Sequence, residues 1–170
     1  SMSVIVVANP KGGVGKSTLA TNVAGALAKS GHAVMLGDVD RQQSSRQWLA
    51  LRAPQLPLIR SWELSHNDIV RPPKGTTHVV LDTPAGLHGK RLDAVLRITT
   101  KLLIPLQPSL FDIQATHAFL GALRAHPRAA GKDPAAFPVQ QHEHDRSAHA
   151  LEPGTGRASD RGPVRPVPGQ

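Results

Sequence analysis

Cysteine is absent from this 170-residue chain. Disulfides, thiolate metal sites and cysteine nucleophiles are thereby excluded. No apolar run approaches the ~20 residues that a membrane-spanning helix needs. The N-terminus enters an apolar strand directly, so no signal peptide is expected, and Ser1 ahead of Met2 reads as a cloning remnant. Without a membrane segment or cysteine pairing, a cytoplasmic location is the expectation. No internal repeat is visible. Acidic residues are scarce in most of the chain: residues 1–132 carry 16 Lys/Arg against 7 Asp/Glu, whereas residues 133–170 carry 4 against 5. A basic domain favours polyanions such as nucleic acid. Solubility together with one phosphate site accounts for the same surplus equally well.

The stretch Asn9-Pro10-Lys11-Gly12-Gly13-Val14-Gly15-Lys16-Ser17-Thr18 lies between an apolar run, Val4 to Ala8, and a helical pattern over Ser17–Lys29. A strand, a glycine-rich turn and a helix start together make a phosphate cradle. Backbone N–H groups line the turn, and the helix N-terminus adds partial positive charge. Lys16 is placed to reach terminal phosphates and the Ser17 hydroxyl to hold Mg²⁺. Pro10 stands where the ordinary P-loop pattern has its first glycine, and a second lysine, Lys11, follows it.

The apolar, β-branched run Val4–Ala8 suits a parallel strand buried on both faces. In the first helix Leu19, Val23, Ala26 and Leu27 form one stripe, with Gly31 at the left-handed cap. A second strand, Ala33–Leu36, leads to Asp38 and Asp40, which at i, i+2 share a face at the strand end where open α/β sheets bind ligands. Asp38 reads as a loop-satisfying or Mg²⁺-shell carboxylate. Residues 43–52 read as a short helix with Ser44 or Ser45 as its cap and Trp48 and Leu51 inward. Leu56–Arg60 is a strand placed towards the sheet edge by Pro57. Thr77–Asp82 is an apolar strand ending in an acid, the Walker B pattern, in which the carboxylate holds Mg²⁺. A helix follows over 91–99, a strand over Lys101–Leu106, and a helix over Phe111–Leu123 with Phe111, Ala115, Ala118, Phe119 and Leu123 inward. Arg124, His126, Arg128 and Lys132 form a basic cluster suited to the negative end of that helix.

The K-G-G-x-G-K-[ST] motif of Lys11–Ser17 resembles the deviant Walker A motif of the ParA/MinD class of P-loop ATPases, and ParA-type partition proteins above all. The Gln107-Pro108-Ser109 run resembles the same class. The resemblance covers residues 4 to about 132. It implies an α/β fold, a mostly parallel sheet flanked by helices, of the P-loop NTPase type and C-terminally shortened. It implies that Gly12, Gly13, Val14, Gly15, Lys16, Ser17 and Thr18 bind ATP or ADP, and that Ser17 and Asp82 hold Mg²⁺. Lys11 would cross a dimer interface to the partner's nucleotide, and Asp40 would orient the attacking water, so that Lys11, Lys16 and Asp40 form the catalytic set. Thr83–Gly86 would sense the γ-phosphate. The family's Pro-Gln-Gly after the second aspartate is replaced here by Arg41-Gln42-Gln43.

The implied activity is ATP hydrolysis by a nucleotide-dependent homodimer that binds DNA non-specifically, is triggered by a ParB-like partner, and serves the partition or positioning of DNA or other cargo. The alternative is a nucleotide-binding module with little turnover. A MinD-type membrane protein would end in a basic amphipathic helix, and a tyrosine kinase of this class would carry a tyrosine tail, whereas tyrosine is absent. Residues 1–132 are expected to form the ATPase domain. Residues 133–170, rich in Pro, Gly, Arg and His, are expected to be a disordered, non-family tail, read as a frameshifted end. Its His142, His144 and His149 could bind a metal adventitiously, although a solvated tail is the plainer reading.

Overall fold

The computed structural model describes residues 1–13, 15–39, 43–63 and 71–127, and the backbone of 133–138. Val14, Asp40, Arg128, Lys132 and everything after 138, including His142, His144 and His149, lie outside the described residues. Among the described residues the order is β1 (Ser3–Val7), α1 (Lys16–Lys29), β2 (Val34–Asp38), α2 (Ser44–Ala50), β3 (Ile59–Trp62), β4 (His78–Asp82), α3 (Gly89–Ile98), β5 (Lys101–Leu106), α4 (Leu110–Ala125) and β6 (Asp133–Pro138).

The described strands form one sheet in the order β3-β2-β4-β1-β5-β6. Every pairing is parallel. Both sheet faces are covered, which is why the strand sequences are apolar throughout instead of alternating. Val4, Val6, Met35, Val79 and Leu81 pack on one side with Leu87, Val95, Leu96 and Leu123. Val7, Val34, Leu36 and Val80 pack on the other with Ala20, Ala24 and Ala28 of α1. From β1 the chain crosses towards β2, and from β4 it crosses to β5 on the opposite side of β1. The adjacent β1 and β4 thus bracket a topological switch point, where a ligand crevice opens at the strands' C-terminal ends.

The inward stripe of α1 is Ala20, Ala24 and Ala28, with Leu19, Val23 and Leu27 flanking it, so the stripe expected from the larger side chains is displaced and Ala26 faces outward. Alanine at i, i+4, i+8 lets the helix lie close to the sheet. The helix ends as anticipated, with Gly31 at φ 88. Gly31 N–H donates to the Ala28 carbonyl and His32 N–H to the Leu27 carbonyl, the paired bonds of a Schellman cap.

Three further expectations shift. Leu51 is 87% exposed, because it is the C-cap of α2 and the helix turns Ser45 inward instead. Leu56 and Leu58 are exposed, and pairing with β2 starts only at Ile59. Arg52 donates twice to the Pro57 carbonyl, at 3.2 and 3.0 Å, and so keeps that residue in the turn. β3 is nevertheless the edge strand that Pro57 indicated. In α4 the buried positions are Asp112, Thr116 and Leu123. Phe111 is 75% exposed and Ala118 also faces out.

The boundary at residue 132 is displaced as well. β6 pairs with β5 from Asp133 to Pro138, so the sheet runs into the segment read as tail from its composition. Backbone pairing needs no large apolar side chain, and Pro134 and Pro138 are tolerated on an edge strand.

Gly37 of β2 illustrates how tightly the sheet packs beside the site. A Cβ there would lie 2.9 Å from Leu81 Cδ1 and 3.1 Å from Trp62 Cε3. Both neighbours are buried. Gly37→Ala is expected to destabilise the domain by about 1–3 kcal/mol through overpacking, read as a shift in the urea midpoint at unchanged m-value.

Candidate nucleotide and metal site

The loop after β1 is shaped by a residue to which the sequence pattern assigns no role. Asn9 is buried. Its side-chain amide donates to the Pro105 carbonyl at the end of β5, and its Oδ1 accepts from Lys11 N–H at 2.8 Å. The turn then needs left-handed backbone at Gly13 (φ 71) and Gly15 (φ 88), which glycine adopts without steric penalty. Gly15 is also the N-cap of α1, and the first turn of α1 contains no acidic residue. A glycine cap brings no side chain to the helix end. The first-turn N–H groups therefore point into the loop, where the helix dipole favours an anion. Lys16 is buried, and its Nζ donates to the Lys11 carbonyl at 2.9 Å across the turn. The Gln107 side-chain amide donates to the Gly13 carbonyl at 3.3 Å from the other side.

Asp82 stands beside this loop because β4 pairs with β1 in the register Val7↔Asp82. Its carboxylate is buried, and Ser17 Oγ donates to Asp82 Oδ2 at 2.6 Å. A second hydroxyl, that of fully buried Ser45, donates to the same oxygen at 2.7 Å. Thr83, the next residue, donates its hydroxyl to the Val7 carbonyl at 2.8 Å and so locks the start of the Thr83–Gly86 loop to the root of the glycine turn. A serine hydroxyl and a carboxylate at the mouth of a phosphate cradle are hard oxygen donors of the kind Mg²⁺ takes together with water and phosphate oxygens. The residues present fit that ion.

Asp38 pairs in register with Asp82 on the adjacent strand. Its Oδ2 accepts from Ser45 N–H at 2.9 Å and from Arg46 N–H at 3.2 Å. It therefore caps α2 from outside the helix, in the place expected of Ser44 or Ser45, a loop-satisfying contact. The N-cap itself is Gln43, with left-handed backbone at φ 51 and ψ 38. This is the position where the family pattern has glycine. Left-handed backbone brings Cβ close to the following carbonyl oxygen. Gln43→Gly is expected to stabilise the chain by about 0.5–1 kcal/mol, the relief of that strain exceeding glycine's extra unfolded-state entropy. Thermal unfolding should show the rise. The exposed contact from Arg46 Nη1 to Gln43 Oε1, at 3.3 Å, contributes little against it.

Lys11 is held within its own chain. Its Nζ lies 2.5 Å from Asp112 Oδ1 in the first turn of α4, with the aspartate side chain 4% exposed and the lysine 48%. The Lys11 hydrogen bond, aided by Ser109, holds the Asp112 carboxyl below the usual carboxylate range against the opposing effect of burial. Ser109 is the N-cap of α4, its hydroxyl accepting from Asp112 N–H. The contacts thus bring the glycine turn, Lys16, Ser17 and Asp82 together, with Lys11 beside them on Asp112. The structure adds contacts from Asn9, Ser45, Thr83 and Gln107, to which the sequence had given no such partners, and from Asp112, which no motif named. Asp112 had a readable signal, an acid at the third position after a serine cap.

Residues 5–152 match the profile of the CobQ/CobB/MinD/ParA nucleotide binding domain. The chain belongs to that family. The match runs past residue 132, further than the resemblance read from the motifs. Maintenance of carboxysome distribution protein A of Gloeobacter kilaueensis is 36% identical over 112 residues, covering 65% of this chain and 51% of the relative. This chain therefore spans about half the length of that relative. Among solved structures, pNOB8 ParA bound to nonspecific DNA superposes with a TM-score of 0.66 at 20% identity, over 86% of this chain and 71% of that one. Cobyrinic acid a,c-diamide synthase from Mycobacterium smegmatis, with bound ADP and magnesium, superposes with a TM-score of 0.60 at 19% identity, over 89% and 83%. Such structural likeness carries the parallel, helix-flanked P-loop fold. Family membership carries the nucleotide-binding domain. Among the described residues no helix is long and apolar enough to cross a membrane.

Proposed function

We propose that the protein is an ATP-hydrolysing, dimerising switch of the ParA type that positions DNA or another cargo. The observation that carries this reading is the Ser17 hydroxyl on the Asp82 carboxylate, 2.6 Å apart at the mouth of the glycine turn. The triphosphate would lie along Gly12–Thr18, its negative charge met by the N-terminal amides of α1 and by Lys16. Ser17 and Asp82 would hold Mg²⁺, which when bound neutralises charge building on the β- and γ-phosphate oxygens. Asp40, outside the described residues, would orient water for in-line attack. Positioning and charge neutralisation are what phosphoryl transfer requires. Lys11 would leave Asp112 and reach the partner subunit's phosphates, so dimer closure and active-site completion become one event.

The carboxysome-distribution relative and the structural neighbour bound to nonspecific DNA support a positioning role. The net charge of +8 supports DNA as one polyanionic surface. A ParB-like activating partner and a cytoplasmic site of action belong to the same proposal.

Phosphate release separates enzyme from binding module. The native chain should turn over ATP, and Asp40→Ala and Lys16→Ala should not. Equal background rates in all three would favour a module that only binds nucleotide. Lys11→Ala should keep ADP affinity within about two-fold yet lose the ATP-dependent dimer in sedimentation, because its expected contact is to the other subunit's nucleotide. An unchanged dimer would remove the trans role.

A further inference from the structure

Asp82 gathers more contacts than a metal ligand alone requires. Its main-chain carbonyl accepts from Val39 N–H at 3.0 Å. Its Oδ2 accepts from Ser45 Oγ at 2.7 Å. Val39 and Ser45 stand on either side of residues 40–42, the segment that carries Asp40. Both ends of that loop are therefore fastened to a single residue, the front to its backbone and the rear to its carboxylate. Ser45 is fully buried, and its own N–H is fixed by Asp38 Oδ2 at 2.9 Å. The first turn of α2 is thus tied at once to the ends of β2 and β4.

The other hydroxyl on Asp82 Oδ2 belongs to Ser17, at 2.6 Å. A hydroxyl has one proton to donate. When Ser17 turns its oxygen lone pairs to a cation, that proton must point away from the ion. Ser45, which takes no part in holding the ion, keeps its hydroxyl on Oδ2 whichever way Ser17 turns. Groups that hydrogen-bond a metal ligand fix its orientation and tune its affinity, and losing one typically costs about 10- to 100-fold in metal affinity.

We propose that Ser45 is a positioning residue that couples Mg²⁺ at Asp82 to the first turn of α2. This rests on the reading of Ser17 and Asp82 as the metal-holding pair. Ser45 orients the carboxylate for the ion, and the same bond transmits the carboxylate's setting to the first turn of α2. Gln43, left-handed at φ 51, opens that first turn.

The test uses the full chain with ADP as the probe, with EDTA or with increasing Mg²⁺. Nucleotide affinity and amide hydrogen exchange of residues 43–50 are measured together. In the native chain Mg²⁺ should tighten ADP binding and slow exchange in α2. Ser45→Ala should bind ADP in EDTA within about two-fold of the native chain, need about 10-fold more Mg²⁺ for its half-effect, and lose the Mg²⁺-dependent slowing in α2. A purely structural serine would lower thermal stability without moving the Mg²⁺ midpoint, and that result overturns the proposal. Native α2 exchange indifferent to Mg²⁺, while ADP affinity still responds, overturns it without any variant. An ADP affinity that ignores Mg²⁺ in the native chain removes the metal reading of Ser17 and Asp82 first.

Discussion

Asp82→Asn should reduce ATP hydrolysis at least about 100-fold and abolish the dependence of ADP affinity on Mg²⁺. Metal-derived stabilisation of transferring phosphoryl groups amounts to several kcal/mol, and each 1.36 kcal/mol is a factor of about ten in rate. The substitution keeps the shape of a buried side chain on which two serine hydroxyls converge, so the fold should survive. It removes one negative charge beside the phosphate cradle. ADP binding in EDTA should therefore be unchanged or tighter, opposite in sign to the effect with Mg²⁺ present. Calorimetric titration in the two buffers reads both arms. A variant with native Mg²⁺ dependence would show that the metal is held elsewhere.

Lys16→Ala should weaken ADP and ATP binding by about 10- to 100-fold with or without Mg²⁺. Hydrogen bonds to charged groups are worth about 1.5–3 kcal/mol, and 1.4 kcal/mol is a decade in affinity. Lys16 is buried and its Nζ already spans the turn to the Lys11 carbonyl. Binding exchanges that bond for phosphate oxygens without the ammonium travelling far. The loss should thus be metal-independent, which distinguishes it from Asp82→Asn. An affinity within two-fold of native would place the phosphates away from Lys16.

The strands were readable because burial on both faces makes them continuous apolar runs, and β5 falls at Lys101–Leu106 as the run indicates. The glycine turn was readable because left-handed backbone at Gly13 and Gly15 leaves a residue-level trace. Helix faces were less so. In α4 the largest apolar side chains suggested Phe111 inward, yet Leu110, Phe111 and Ile113 are exposed and Asp112 is buried. The Lys11–Asp112 ion pair sets the rotation of the helix start, and periodicity cannot register a partner about a hundred residues away in sequence. In α1 small residues make the contact, which a search for large apolar stripes passes over. Ser45 was legible only as a possible cap; its bond to Asp82 depends on the β2–β4 register. The strand after residue 132 escaped because its pairing is carried by backbone, while composition reports only side chains.

On the proposed reading, nucleotide state controls association through the P-loop face. Size-exclusion chromatography with light scattering, on the full chain in Mg²⁺ with either ADP or a non-hydrolysable ATP analogue, addresses it directly. The expected result is a monomer with ADP and a dimer with the analogue. The same mass in both nucleotides would contradict it.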